Sequence, residues 1–402
     1  MPFEILPWNK GATHSLRESA SHQLAAVCET LAGWLNGAEP QDPAWSPKTW
    51  QTFRTASQVH GVGPLLHRRL ERAAWLDPAL RTWLADQYAL NSRRIAKMQV
   101  ELKEILALFR EHRLPAMPLK GSILAATYYE DPGLRPMADL DLLVRPGDFE
   151  RAAGLLAHLG YAQDVVHWKH IEFIKPDNRR VVSREGEHPD NPRGLEVHLY
   201  CRETFGGPTV DLTGTMWAGA SRGTVCGEEA TLSRPEALWL HLAVHATYHL
   251  WQGKGRLIHL VDLARLTPHV EDPARWLQPV DARFTYPVLA MLSAYFPTAL
   301  PGSLLAAQRG RVSASFDRWA RSRDLVNTSH LNPAPPGLYL LKALKLTEGR
   351  PGEVMQALRF AFLPSPAELA LDHPRLAKSK APWLAYFLLP LDWIKRVVKK
   401  GD

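Results

Sequence analysis

Apolar residues recur every three to four positions through the first hundred or so residues and again beyond about residue 230, and between these stretches the spacing tightens towards alternation. In the front stretch, Leu24, Val27, Cys28, Leu31 and Leu35 form one stripe and Leu102, Ile105, Leu106 and Phe109 another, the i, i+3, i+4, i+7 signature of amphipathic helices. The apolar run 114–119, bounded by prolines and by Lys120-Gly121-Ser122, reads as a buried strand entering a turn, with a helix from Ser122 to about Tyr129 stopped at Asp131-Pro132-Gly133. Residues 138–144 alternate, so this strand puts Asp139 and Asp141 on one face. Pro146 opens a helix to Leu159, with Gly160 as its stop, and a strand pair is expected within 170–200, ending at Gly194-Leu-Glu-Val-His-Leu-Tyr200. Helices follow at 236–252, 257–266, about 284–296, 303–322 and 337–346, with proline breaks at 333–337 and 363–366.

This order predicts an α+β protein: a helical region at 1–113, a small mixed sheet with flanking helices at 114–205, and a mainly helical region at 206–402 that closes a cleft against the sheet. Length, a 46% hydrophobic fraction and a 22% charged fraction describe an ordinary packed protein rather than a disordered or fibrous one. The net charge of +7 suits an anionic substrate, yet no central basic stripe accompanies it, so dedicated nucleic-acid binding is not expected. Three cysteines, Cys28, Cys201 and Cys226, at no paired spacing argue against a disulfide framework and fit a reducing cytosol. Neither an export signal nor a spanning apolar run is visible, so a cytoplasmic location is expected.

The chemistry concentrates in the middle third. Two carboxylates two apart on a strand, Asp139 and Asp141, can jointly hold one or two Mg²⁺ ions that also grip a triphosphate. Gly121 and Ser122 follow a strand and open a helix, where backbone amides and the helix dipole favour phosphate, and Lys120 adds a point charge. The competing reading makes Ser122 an N-cap. Glu196, with His198 on the same strand face, can supply a third carboxylate as metal ligand or as base.

Leu119-Lys-Gly-Ser-Ile-Leu-Ala125, Tyr128-Tyr129, Asp131-Pro-Gly-Leu-Arg-Pro-Met-Ala-Asp-Leu-Asp-Leu-Leu-Val144 and the segment 156–161 together resemble the bacterial nucleotidyltransferase family within the polymerase-β superfamily. His60-Gly-Val-Gly-Pro-Leu-Leu66 and the pair His245, His249 followed by Asp262 are similar to further family segments. The resemblance spans roughly 95–265. It implies that Asp139 and Asp141 bind Mg²⁺, for which Mn²⁺ can substitute, that Glu196 is the third carboxylate, and that Lys120, Ser122 and Arg135 handle phosphates. It also implies transfer of a nucleoside monophosphate from an NTP to an acceptor hydroxyl on a small molecule, peptide or protein, with pyrophosphate released. Two departures stand out: Gly121 lies 18 positions before Asp139, farther than is common in the superfamily, and Glu196 stands where Asp is more frequent.

Two other function classes fit the same residues: an inactive nucleotide-binding partner or regulatory module, and a sugar-nucleotide transferase using the aspartates with Mn²⁺. Arg135 has its own alternative, a salt bridge to Asp131 or to an active-site aspartate. His241, His245 and His249 recur every four residues on one helix face. They are expected to pack against the sheet domain and pair with Asp262, with a substrate pocket or a zinc site as alternatives. The segment 382–400 couples an aromatic apolar stretch to a basic end and docks either on the helical region or on a membrane surface, peripherally at its inner face. From the shared strand face, Asp139→Asn and Asp141→Asn are both expected to abolish metal-dependent triphosphate binding with stability unchanged or raised.

Overall fold

In a computed structural model of the chain, residues 14–167, 169–183, 187–331, 338–363 and 365 are described. The segment 382–400 and the proline break at 333–337 are therefore outside the described residues, as are Pro364 and Pro366 of the break at 363–366. The helical front is four helices, α1 (His14–Leu35), α2 (Pro47–His60), α3 (Gly63–Leu70) and α4 (Pro78–Glu111). They are punctuated by Gly61 in a left-handed C-cap and by Asp77, whose carboxylate accepts the amides of Ala79 and Leu80. The two stripes read from the sequence point inward: Val27, Cys28 and Leu31 are fully buried, and so are Leu102, Ile105 and Phe109.

Next come β1 (Met117–Pro118), α5 (Lys120–Thr127), β2 (Asp139–Leu143), α6 (Phe149–His158), β3 (Ala162–Val166), β4 (His170–Ile174) and β5 (Gly194–His198). They build a mixed five-stranded sheet in the order β1-β2-β5-β4-β3, in which only β2 and β5 run parallel. The architecture is α+β, with a small mixed sheet between helical flanks. One sheet face is apolar: Leu140, Leu142, Leu195, Val197, Ile171 and Phe173 are buried, and the Phe149 ring of α6 lies 6.3 Å from that of Phe173. The strand expected over 114–119 shortens to two residues, because Pro115 and Pro118 have no amide to give to a ladder.

Two hairpins, β6 (Arg202–Thr204) with β7 (Thr209–Asp211) and β8 (Ser221–Val225) with β9 (Glu228–Leu232), flank α7 (Thr213–Trp217). Helices α8 (Pro235–Gln252), α9 (Leu257–Leu266), α10 (Pro273–Leu277), α11 (Tyr286–Tyr295), α12 (Gly302–Arg309), α13 (Ala314–Arg321), α14 (Leu338–Thr347) and α15 (Pro351–Phe362) follow. The helix expected over 303–322 is two, since Ser313 breaks the run and caps α13 by accepting the Phe316 amide at 3.2 Å.

Helix α4 is tied to the sheet by Arg94, which is 2% exposed. Its guanidinium donates to the carbonyls of Met137 (3.0 Å), Ala138 (2.7 Å), Asn191 (3.1 Å) and Pro192 (2.8 Å). It thereby holds the loops that lead into β2 and β5 side by side. Arg193 pairs with Glu101 of α4 at 2.9 Å and adds a second tie.

Candidate functional site

The other sheet face is polar, and the register explains why. Asp141 stands opposite Glu196, which stands opposite Glu172, while His198 stands opposite His170. Because directly opposed residues share a face, strand alternation on three strands delivers carboxylates and imidazoles to one patch. The sequence His170-Ile-Glu172 on antiparallel β4 mirrors Glu196-Val-His198 on β5.

Lys120 enters this patch from the start of α5. Its backbone lies at φ 44°, the left-handed region that a side-chain-bearing residue adopts at a cost of roughly 1–2 kcal/mol. Its ammonium donates to Asp141 Oδ1 at 2.6 Å and lies 3.5 Å from Glu196 Oε2. His198 Nε2 is 2.8 Å from Asp141 Oδ1 and 3.0 Å from Glu196 Oε2. These contacts separate the three carboxylates electrically. Burial and the charges of Asp141 and Glu196 push the Asp139 carboxyl well above its usual range, and no described side chain hydrogen-bonds to it. Burial pushes Asp141 the same way, but Lys120 and His198 outweigh it and hold the carboxyl below the usual range. Glu196 is likewise held down, with burial overcome by Lys120, His198 and His170. Lys120, although burial disfavours its charge, is kept protonated by Asp141 and Glu196. The two aspartates that share a face are thus unequal: Asp141 is paired and Asp139 is not. An equal effect on stability from replacing either one does not follow from these unequal contacts.

The patch forms one wall of a cavity of about 780 Å³, whose far wall is α8, the 254–262 segment and the β6–β7 hairpin. Cations line it: Lys120, Arg135, Lys169, Arg202, Lys254 and Arg256. Arg135 is buried and paired with Asp262 of α9 through Nε (3.3 Å) and Nη2 (2.7 Å), and Tyr129 donates to the same carboxylate at 2.7 Å. Its partner is therefore neither Asp131 nor an active-site aspartate. Asp131 instead accepts the Gly133 amide at 2.8 Å. An added Cβ at Gly121 would stand 2.5 Å from the Arg135 guanidinium and 2.7 Å from the Met137 sulfur, so a larger residue there would displace those side-chain ends.

Ser122 is turned away from the cavity. Its hydroxyl accepts the Asp141 amide at 2.8 Å and its own amide donates to the Leu119 carbonyl at 3.0 Å. It neither caps the helix nor offers a free amide to phosphate; it sets the height of β2 against α5.

The histidine face of α8 meets Glu203 of β6 rather than Asp262, whose oxygens are taken by Arg135 and Tyr129. His245 Nδ1 lies 2.8 Å from Glu203 Oε1, His249 Nε2 lies 3.0 Å from His245 Nε2, and Lys169 donates to Glu203 at 2.8 Å. Burial pushes His241 down to about 3 and holds His245 and His249 well below their ordinary value. The face is neutral imidazole at pH 7.

Two groups escape a reading by local pattern. Arg256 donates to the Val59 carbonyl at 3.0 Å, and Gly61 leaves room for it, since an added Cβ there would stand 2.4 Å from its Nη2. His60 Nδ1 accepts the Leu257 amide at 3.2 Å, so the C-terminal end of α2 seats the start of α9. The glycines around Lys254 and Arg256 were the available signal. His170 and Glu172 were readable only by seeing that β4 repeats the β5 pattern in reverse. Among the described residues, ligand atoms of His170, Glu196 and His198, and those of His167, His170 and Glu172, form two groups close enough to hold an ion.

Residues 46–285 match the profile of a family described as an uncharacterised nucleotidyltransferase. No curated protein and no solved structure matches the chain.

Proposed function

Since the chain belongs to this family of uncharacterised nucleotidyltransferases, we propose that it moves a nucleoside monophosphate from an NTP to a hydroxyl or similar acceptor on a small molecule, peptide or protein. The observation that carries this reading is the meeting of Asp139, Asp141 and Glu196 with a wall of cations in one cavity. Such a cavity can hold a triphosphate and its counter-ions together. The donor types fit Mg²⁺: three carboxylates line one cavity, and the Asp139 carboxyl is pushed up by burial and by its neighbours' charge, a repulsion that a divalent cation relieves. Asp139, Asp141 and Glu196 would hold the ion or ions, whose positive charge would stabilise the attacking and leaving oxygens of an in-line displacement.

The chain's own residues do the rest. With a metal ion held by Asp141, Lys120 would be released from that carboxylate and its ammonium would be available to phosphate. Arg135, oriented by Asp262 and Tyr129, contributes fixed positive potential to the same region. Gly121 keeps the α5 start close to Arg135, and Ser122 acts through the Asp141 amide. His198 orients Asp141 and Glu196, while His245 and His249 line the acceptor side as uncharged groups.

The test is a thermal-shift screen of the purified chain against ATP, GTP, CTP and UTP with and without Mg²⁺, beside the Asp139→Asn variant, followed by a pyrophosphate-release assay. Stabilisation by an NTP that needs Mg²⁺ and is lost in the variant is expected. No Mg²⁺-dependent shift with any NTP would refute the donor assignment, and binding without pyrophosphate release would give a regulatory module instead.

A further inference from the structure

We propose that the polar face of the sheet carries a second cation site, nitrogen-rich and selective for a transition ion of the zinc class, built from His167, His170 and Glu172 and joined to the three-carboxylate site through Glu196. The proposal goes beyond the nucleotidyl reading, which uses oxygen ligands only.

Its first support is geometry. Ligand atoms of His167, His170 and Glu172 all lie within 4.8 Å of one another, as do those of His170, Glu196 and His198. His167 Nε2 is 2.9 Å from Glu172 Oε1, and His170 Nε2 is 3.7 Å from that oxygen and 3.6 Å from Glu196 Oε1. The two Glu196 oxygens face different ways. Oε2 meets Lys120 and His198, whereas Oε1 is directed at His170. A carboxylate so placed can bridge two cations, as in two-metal sites.

The second support is independent of clustering. His170 is 8% exposed, and neither of its ring nitrogens has a hydrogen-bond partner among the described residues. A buried imidazole is ordinarily satisfied, since an unmade bond on a buried polar group costs on the order of 1–3 kcal/mol. Here Nε2 is aimed between two carboxylates. Hydrogen-bonding distance to either is missing, but a metal ion standing between them would be bonded to all three groups.

The third support is ligand chemistry. Imidazole and carboxylate in a set of about four suit zinc, whereas Mg²⁺ prefers all-oxygen octahedra. The site has access, since His167 and Glu172 side chains are 35% and 36% exposed at the cavity edge.

The experiment uses the full chain stripped with a chelator and titrated with Co²⁺ followed by its visible d–d absorption, with Zn²⁺ as competitor and bound metal counted after dialysis. One equivalent of Co²⁺ with the intensity of a four- or five-coordinate site, displaced by Zn²⁺, is expected. His170→Ala should weaken it at least about tenfold. His167→Ala, a change at a half-buried position at the cavity edge, should do so too, while Asp139→Asn should retain the site. Unchanged Co²⁺ binding in both histidine variants, or no bound ion in the wild type at micromolar Co²⁺, would overturn the proposal. So would equal loss in Asp139→Asn, which would place the ion on the aspartates. The failures are distinguishable: a chain that binds Co²⁺ through His170 but shows no Mg²⁺-NTP shift refutes the nucleotidyl reading and leaves this site standing.

Discussion

Asparagine in place of each β2 aspartate should move stability in opposite directions. In Asp141→Asn the Lys120 ammonium at 2.6 Å and His198 Nε2 at 2.8 Å each lose an ionised partner. Charge-assisted bonds contribute about 1.5–3 kcal/mol each, and the amide oxygen keeps part of one, so the loss should be about 2–4 kcal/mol. Asp139 differs, since no described side chain bonds to it and its neighbours' negative charge opposes its ionisation. Burial and that charge raise its folded-state pKa, so ionising the carboxyl costs the fold stability that a neutral amide does not. Asp139→Asn should therefore be more stable than wild type by on the order of 1 kcal/mol. The assay is urea unfolding at pH 7 in a chelator, with the midpoint as readout and an unchanged slope as the control for the unfolded state. Destabilisation of both variants by similar amounts would refute the reasoning, because it would mean that Lys120 and His198 serve the two carboxylates alike. Adding Mg²⁺ should then stabilise the wild type and neither variant.

Three further outcomes follow from the same contacts. Lys120→Met removes the ammonium that competes for Asp141, so Mg²⁺ affinity by calorimetry should rise about 10- to 100-fold while NTP turnover falls; weaker Mg²⁺ binding would contradict the exchange of lysine for metal. Asp262→Ala leaves Arg135 buried without its partner and should cost about 3–5 kcal/mol, whereas combining it with Arg135→Met should recover much of that, and simple additivity would show that the pair is not coupled. Burial pushes His60, His241 and His259 each down to about 3. Their neutral forms are favoured only in the fold, so the stability they contribute is present above pH 6.5 and lost as pH falls towards 3. The expected slope is up to about 1.4 kcal/mol per pH unit for each ring, and it should flatten between pH 6.5 and 4 when His241 and His259 are replaced by Gln if these rings are its source.

Period-2 and period-3.6 spacing made the α+β layout legible, because burying an apolar stripe is what each element does locally. The Asp139–Asp141 face and the position of Glu196 were visible for the same reason, since alternation on a strand decides which side a carboxylate takes. Pairing across the sheet was not visible. That Glu172 and His170 stand beside Glu196 and His198 depends on β4 being antiparallel to β5, a long-range fact absent from either strand alone. The hairpins β6–β7 and β8–β9 are short and largely polar, so they carry little periodic signal, yet β6 brings Glu203 to the α8 histidines. Arg135 could be read as a cation near phosphate but not as the partner of Asp262, which lies 127 residues later. Ser122 looked like a phosphate ligand because its neighbours suggested one; its hydroxyl serves the strand.

The clasp formed by Arg94 also has a history in time. The guanidinium is made 98 residues before Pro192, the last of the carbonyls it holds. At about 5–20 residues per second of synthesis, roughly 5–20 s separate the two. In that interval Arg94 meets first only the carbonyls of Met137 and Ala138, while Asp139 and Asp141 emerge without the strand that will carry Glu196. The polar sheet face is thus among the last parts of the middle region to be completed, and a nascent chain stalled before residue 192 would display its aspartates unaligned.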